Sequence, residues 1–273
     1  MPTSIPLLQI DAFTSRPFFG NPAAVMWLQH PHDDDWMQHV ASEMNLSETA
    51  FLSPTDQTHR YGLRWFTPGR EVDLCGHATI ASMMALRHWG FITDAASVTF
   101  DSRSGDLHCE LEGDMASLKF PATPVIEQVS IALAGQLCDA LRIPAQTVHR
   151  SIYDLVVELE SESQVQSVQP DFGQLSAIDT RGIIVTARSE TPDRDFVSRF
   201  FAPACGINED PVTGSAHCCL APYWMQRLGR ESGKTIIGRQ LSRRAGTVTC
   251  QVLGDHVRLT GQAVIVMDGT WIA

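Results

Sequence analysis

Three short stretches hold residues that could move a proton on a bound acid. They are Glu48 in "NLSETAFL", His77 in "DLCGHAT" and Asp210 in "NEDPVTGSA". Glu48 enters an apolar, strand-like run with no Lys or Arg in the immediate sequence. A carboxyl buried away from cations suits a group that both gives and takes protons near neutrality. The other two stretches each lead into an apolar helix. The first N–H groups of a helix lack internal partners, and its dipole places partial positive charge there. Such a mouth binds a carboxylate without Arg or Lys. Gly76 and Gly214 let the backbone come close to a ligand, with His77, Thr213 and Ser215 beside them.

The remaining polar residues at the mouths have plainer readings. The dipole disfavours a cation, so His77 is expected to be neutral and to act by hydrogen bonding. Asp210-Pro211 fits an N-cap followed by Pro at the first helical position. Cys75 reads as a small residue packing the turn.

These mouths need rigid mounts. Ala78 to Trp89 and Ala216 to Leu228 are apolar nearly all round, so a sheet must wrap each helix. The surrounding sequence is written twice. "RWFTPGREVDLCGHATIASMMALRHWG" resembles "RFFAPACGINEDPVTGSAHCCLAPYWMQRLG" in its Arg, aromatics, Pro, polar loop and apolar helix ending at Gly. After each helix, Gly105, Cys109, Gly113, Asp114 and Leu118 line up without a gap with Gly246, Cys250, Gly254, Asp255 and Leu259. Both segments read as hairpins turning at Gly-Asp. Strand-like runs include "LLQIDAF", "AAVMWL", "ETAFL", "YGLRWF", "YDLVVEL" and "GIIVTA". Polar-faced helices are predicted over Asp33 to Met44 and Ile131 to Leu141. The expectation is a duplicated α+β protein, each half a curved mixed sheet around a central apolar helix. The halves are 1–120 and 121–273, divided near "FPATPV". The final segment, "AVIVMDGTWIA", either finishes the second half or crosses back to the first.

Composition narrows the function. The 273 residues are 44% hydrophobic with a formal net charge of −11, which argues against nucleic acid or an anionic membrane as partner. No secretory pattern opens the chain and no apolar run reaches membrane-spanning length. Seven cysteines without a CxxC pair suit a reduced, cytoplasmic protein. No HExxH spacing appears, so no metal is expected. No GxGxxG or GxxxxGK[ST] loop supports a nucleotide cofactor.

In order and spacing, "DAFTSRPFFGNPAAV", "NLSETAFL", "RWFTPGREVDLCGHATIAS" and "NEDPVTGSA" resemble the PhzF-like phenazine-biosynthesis isomerase family over essentially the whole chain. The resemblance implies the two-domain diaminopimelate epimerase-like fold with its site in the cleft between halves, no cofactor, and a homodimer. It implies an isomerase acting on a small cyclic or unsaturated amino- or hydroxy-carboxylate, of the dihydro-hydroxyanthranilate kind. Carried across, Glu48 falls on the family's acid/base Glu, His77 on its site His, and Asp210 and Ser215 on its Asp and Ser. Gly76, His77, Gly214 and Ser215 would cradle the substrate carboxylate, with Thr213 and Asn21 also lining the site. The epimerase cousins use two opposed cysteines. Cys75 stands at the first place, while the second holds Pro211 or Thr213. The alternatives are an epimerase or racemase using Glu48 and Cys75, and a non-catalytic binder of small carboxylates.

Overall fold

The computed structural model describes residues 4–272. It divides into two compact units. One runs to Lys119 and resumes at Thr260; the other is Phe120–Leu259.

In chain order the first unit holds β1 (Ser4–Ala12), β2 (Asn21–Trp27), α1 (Asp34–Met44), β3 (Glu48–Pro54) and β4 (Arg60–Phe66). There follow β5 (Glu71–Val72), α2 (Gly76–His88), β6 (Ala95–Ser102), β7 (Gly105–Glu112) and β8 (Met115–Pro121). Its sheet is mixed. β1 pairs antiparallel with β2, β2 parallel with β3, β3 antiparallel with β4, and β4 parallel with β6. β6, β7 and β8 form an antiparallel meander. Its last hairpin turns at Gly113, whose φ of 56° suits glycine, as the Gly-Asp signature requires. α1 packs Met37, Val40 and Ala41 against Ala24, Met26, Phe51 and Phe66. Every residue of α2 from His77 to Leu86 is buried, and the helix lies against β1, β2 and β3.

The second unit comprises β9 (Glu127–Gln128), α3 (Ile131–Leu141), β10 (Val148–Arg150), β11 (Asp154–Glu158), α4 (Glu162–Ser167) and α5 (Phe172–Ser176). It continues through β12 (Gly182–Arg188), β13 (Phe196–Ala202), β14 (Ile207–Asp210), α6 (Gly214–Arg227), β15 (Thr235–Gln240), β16 (Gly246–Leu253) and β17 (His256–Ile272). The duplication is visible strand by strand. β11–β12 parallel, β12–β13 antiparallel, β13–β15 parallel and β15–β16 antiparallel repeat the scheme of β2, β3, β4, β6 and β7. It extends to side chains. Arg64 grips Glu71 bidentately at 2.7 and 2.8 Å, and Arg199 grips Glu209 at 2.7 and 3.0 Å. The end of β17 pairs with β1 from Ala12↔Ala263 to Ser4↔Ile272, so the final segment returns to the first unit.

Two local expectations need correction. Both central helices begin earlier than their apolar runs, at Gly76 and Gly214, which places His77 and Ser215 in the first turn. Asp210 is not an N-cap. It ends β14, and the cap position of α6 is Thr213. The Asp210 carboxylate instead accepts from the Thr213 hydroxyl at 2.5 Å.

Each helix ties its first turn back to its cap residue. The Thr79 hydroxyl donates to the Cys75 carbonyl at 2.5 Å, and His217 Nδ1 lies 2.8 Å from the Thr213 carbonyl, to which it donates. The His217 ring is fully buried, and burial pushes its pKa down to about 4. A depressed value for a base means the unfolded chain, titrating near 6.5, takes up the proton first. Stability therefore falls as pH drops from about 6.5 to about 4, by roughly 3 kcal/mol at ~1.4 kcal/mol per pH unit, and is level above that window. We expect His217→Gln to flatten this part of the curve of urea midpoint against pH; curves that stay parallel would contradict the assignment.

Candidate active site

In the first unit the fold gathers three polar side chains around one imidazole. Gly20, with φ 69°, turns the chain so tightly that a Cβ there would lie 2.1 Å from the Ala12 carbonyl oxygen. This turn delivers Asn21 to the start of β2. The parallel register Ala23↔Glu48 brings the first residue of β3 alongside. α2 then presents His77 from its first turn. His77 Nε2 lies 3.1 Å from Glu48 Oε2, while Nδ1 lies 3.5 Å from Cys75 Sγ and 3.2 Å from the Asn21 amide. The His77 and Glu48 side chains are only 7% and 14% exposed. Their facing atoms are close enough for an ion pair but not aligned as a hydrogen bond, and neither atom has a hydrogen-bond partner among the described residues.

Burial works against a charged imidazole here, but the Cys75 sulfur and the Glu48 carboxylate outweigh it and hold His77 well above its ordinary range. Burial and Glu48 push the Cys75 thiol up in turn. Cys75 and Glu48 thus act together on the ring, the sulfur ahead of the carboxylate. This overturns the expectation of a neutral His77. The helix end carries about half a charge, which a full carboxylate at 3.1 Å exceeds. The Asn21 amide serves Nδ1 in either protonation state, offering its oxygen to an N–H or its NH₂ to a bare nitrogen.

The same cluster bears on metal binding. Glu48, Cys75 and His77 offer ligand atoms within 4.8 Å of one another. The imidazole, however, spends Nδ1 toward Cys75 and Nε2 toward Glu48, so the two partners flank the ring and do not share one nitrogen. Cys75, His77 and Glu48 thus stand in a row, with the ring in the middle.

The other candidate residues lie in the second unit, around the α6 mouth. Gln240, fully buried, clamps this turn: its Oε1 accepts from Thr213 N at 2.9 Å and its Nε2 donates to the Asp210 carbonyl at 2.7 Å. Nothing in "GRQLSRR" marks that glutamine, because its role depends on the pairing of β15 beside β13. The caps Cys75 and Thr213 fix the registration left open in the sequence: Thr213, not Pro211, stands opposite Cys75 in the repeat. Neither Cys75 nor Thr213 makes the usual side-chain cap bond to its helix.

The repeat also explains why one half lacks an acid/base carboxylate. The parallel partner of Ala23 is Glu48, and that of Asp154 is Gly182. A Cβ on Gly182 would meet the Phe200 ring at 2.2 Å. The nearby Asp154 is buried and gripped by Arg181 at 2.9 and 2.5 Å, as a structural ion pair.

This geometry has relatives. The model of the phenazine biosynthesis-like protein family, PhzC-PhzF, matches residues 10–269. The chain belongs to that family. An uncharacterized isomerase of Halalkalibacterium halodurans is 48% identical over 263 residues, 96% of each chain. A crystal structure of a PhzF-family phenazine biosynthesis protein from Enterococcus faecalis superposes with a TM-score of 0.89 at 38% identity, covering 99% of this chain and 100% of the other. A hydroxyproline epimerase of Agrobacterium vitis shares the fold at 11% identity and a TM-score of 0.66, over 98% and 92% of the two chains. The fold is thus the duplicated diaminopimelate epimerase-like one, and the protein is a PhzF-family isomerase. No helix among the described residues is long and apolar enough to cross a membrane.

The His77 assignment is open to direct measurement. Stability gained from a raised histidine is fully present below the unfolded value near 6.5 and is lost as pH rises through the folded value. In ring-labelled protein we expect His77 to titrate well above 6.5, and in Glu48→Gln to fall to about 6.5 or below. An unchanged titration in the variant would show that Glu48 does not hold the proton.

Proposed function

We propose that this protein isomerises a small cyclic or unsaturated amino- or hydroxy-carboxylate by moving one proton between carbons, with Glu48 as the acid/base group. The observation that carries the reading is the buried Glu48–His77 couple, 3.1 Å apart and unaligned, with neither facing atom hydrogen-bonded. A carboxylate takes the proton from one carbon, the electron pair shifts along the unsaturated system, and the same proton returns at another carbon. Atoms and charge balance within the substrate, so the step requires no redox cofactor or metal. The His77 imidazolium offsets the negative charge that builds up between the two transfers. The first turns of α2, at Gly76 and His77, and of α6, at Gly214 and Ser215, are each of a kind that takes a carboxylate. Asp210 and Thr213, joined at 2.5 Å, would receive its amino or hydroxyl group. A dihydro-hydroxyanthranilate-like acid is the substrate class, and a cytoplasmic homodimer is the working form.

One observation favours a second reading, an epimerase in which Glu48 and Cys75 act on opposite faces of one carbon. Cys75 Sγ lies 3.5 Å from His77, so thiol and carboxylate share an imidazole. The two readings differ in what they ask of the thiol. For the isomerase, Glu48→Gln costs about 10²–10⁴ in turnover of a dihydro-hydroxyanthranilate. Cys75→Ala, which removes only a neighbour of His77, costs far less. Equal losses in both folded variants on an amino-acid substrate would favour the epimerase. Substrate binding without turnover, unaffected by Glu48→Gln, would leave a binding protein.

A further inference from the structure

We infer that the second unit carries a separate binding site for a small organic phosphate, centred on Arg239, which acts on the α6 mouth through Gln240 and Ser242. An open surface depression of about 380 Å³ is lined by Glu162, Gln166, Arg194, Arg239, Leu241, Ser242 and Ala245. Its two guanidiniums are in different states. Arg194 pairs with the nearly buried Glu162 at 3.3 Å and bonds the Ser189 hydroxyl at 3.3 Å. Arg239 has no carboxylate within ion-pair distance among the described residues. Among the described residues its one hydrogen bond is a long one, 3.4 Å, to the Thr247 hydroxyl. Asp193 feels its charge only from farther off and is otherwise held by Thr191. The lining therefore has one positive charge in excess, on a side chain with unused donors.

A guanidinium in that position takes an oxyanion. The depression exceeds the size of a bare phosphate, which leaves room for the ester group beside Leu241 and Ala245. Ser242 is not available as a donor. Its hydroxyl already donates to the Pro211 carbonyl at 2.7 Å and accepts from Ala245 N at 3.0 Å.

That bond is what links the depression to the turn. Arg239 and Gln240 are neighbours on β15 and point to opposite sides, so the segment that meets the ligand also holds the Asp210–Thr213 turn through Gln240. Ordering Arg239 through Ser242 steadies the turn, and the coupling is reciprocal: a ligand at the turn tightens the depression. The binding itself does not depend on the reaction proposed above; only the consequence for catalysis does.

Calorimetry with phenyl phosphate and, in a second arm, inorganic phosphate tests the site, with amide hydrogen exchange as the readout at the turn. Phenyl phosphate is expected to bind, to lose about tenfold or more in affinity in Arg239→Gln, and to slow exchange over residues 212–216. Ser242→Ala should keep the affinity and lose that protection. Tighter binding of inorganic phosphate than of the ester would overturn the claim that the ligand is an organic monoester. No binding of either probe, or equal affinity in a folded Arg239→Gln, would overturn the site. Unchanged exchange on saturation would overturn the coupling.

Discussion

A carboxylate and an imidazole held 3.1 Å apart in a buried pocket are costly to maintain, and the first unit is organised around that contact. Desolvating two charges is repaid only by close and well-satisfied geometry, and replacing such a pair by apolar residues is often neutral or stabilising. Here the pair is not even aligned as a hydrogen bond. Its retention makes sense as chemistry held ready at the expense of stability. Rigidity comes from elsewhere: from α2, buried along its length, from the parallel pairing of β2 with β3, and from the tight turn at Gly20.

The duplication shows how one scaffold reaches two outcomes. Both halves keep the Arg–Glu clamp between neighbouring strands, and both tie the first helical turn back to the cap carbonyl, one with Thr79 and the other with His217. They part where the chemistry lies. The place of Glu48 is filled by a glycine under the Phe200 ring, and the carboxylate one strand away is neutralised by Arg181. The carboxylate at this register position is thus present in one half alone.

Much of this was legible in the sequence. The paired motifs, the two all-apolar helices and the Gly-Asp hairpins report short-range patterns, and the strands and helices follow them closely. Glu48, His77 and Asn21 are drawn to one place by the fold, though they are far apart in the chain. What stayed hidden was longer-range. No local pattern around Glu48 reveals a partner, because His77 arrives from another element, and Cys75 and Glu48 together shift that ring upward where the helix dipole alone predicted a neutral one. Asp210-Pro211 reads as a cap on local preference, yet the helix starts later because strand pairing holds Asp210 in β14. Gln240 has no signature at all; it acts through a contact that only sheet register creates.

The central claim is that Glu48 carries a proton between carbons of the substrate. Proton NMR in D₂O, with dihydro-hydroxyanthranilate and a panel of small amino acids, tests it most directly in wild type and Glu48→Gln. The account predicts isomerisation, with deuterium entering at carbon to the extent that the Glu48 proton exchanges with solvent, in wild type and not in the folded variant. Isomerisation or carbon exchange that persists in Glu48→Gln would contradict it.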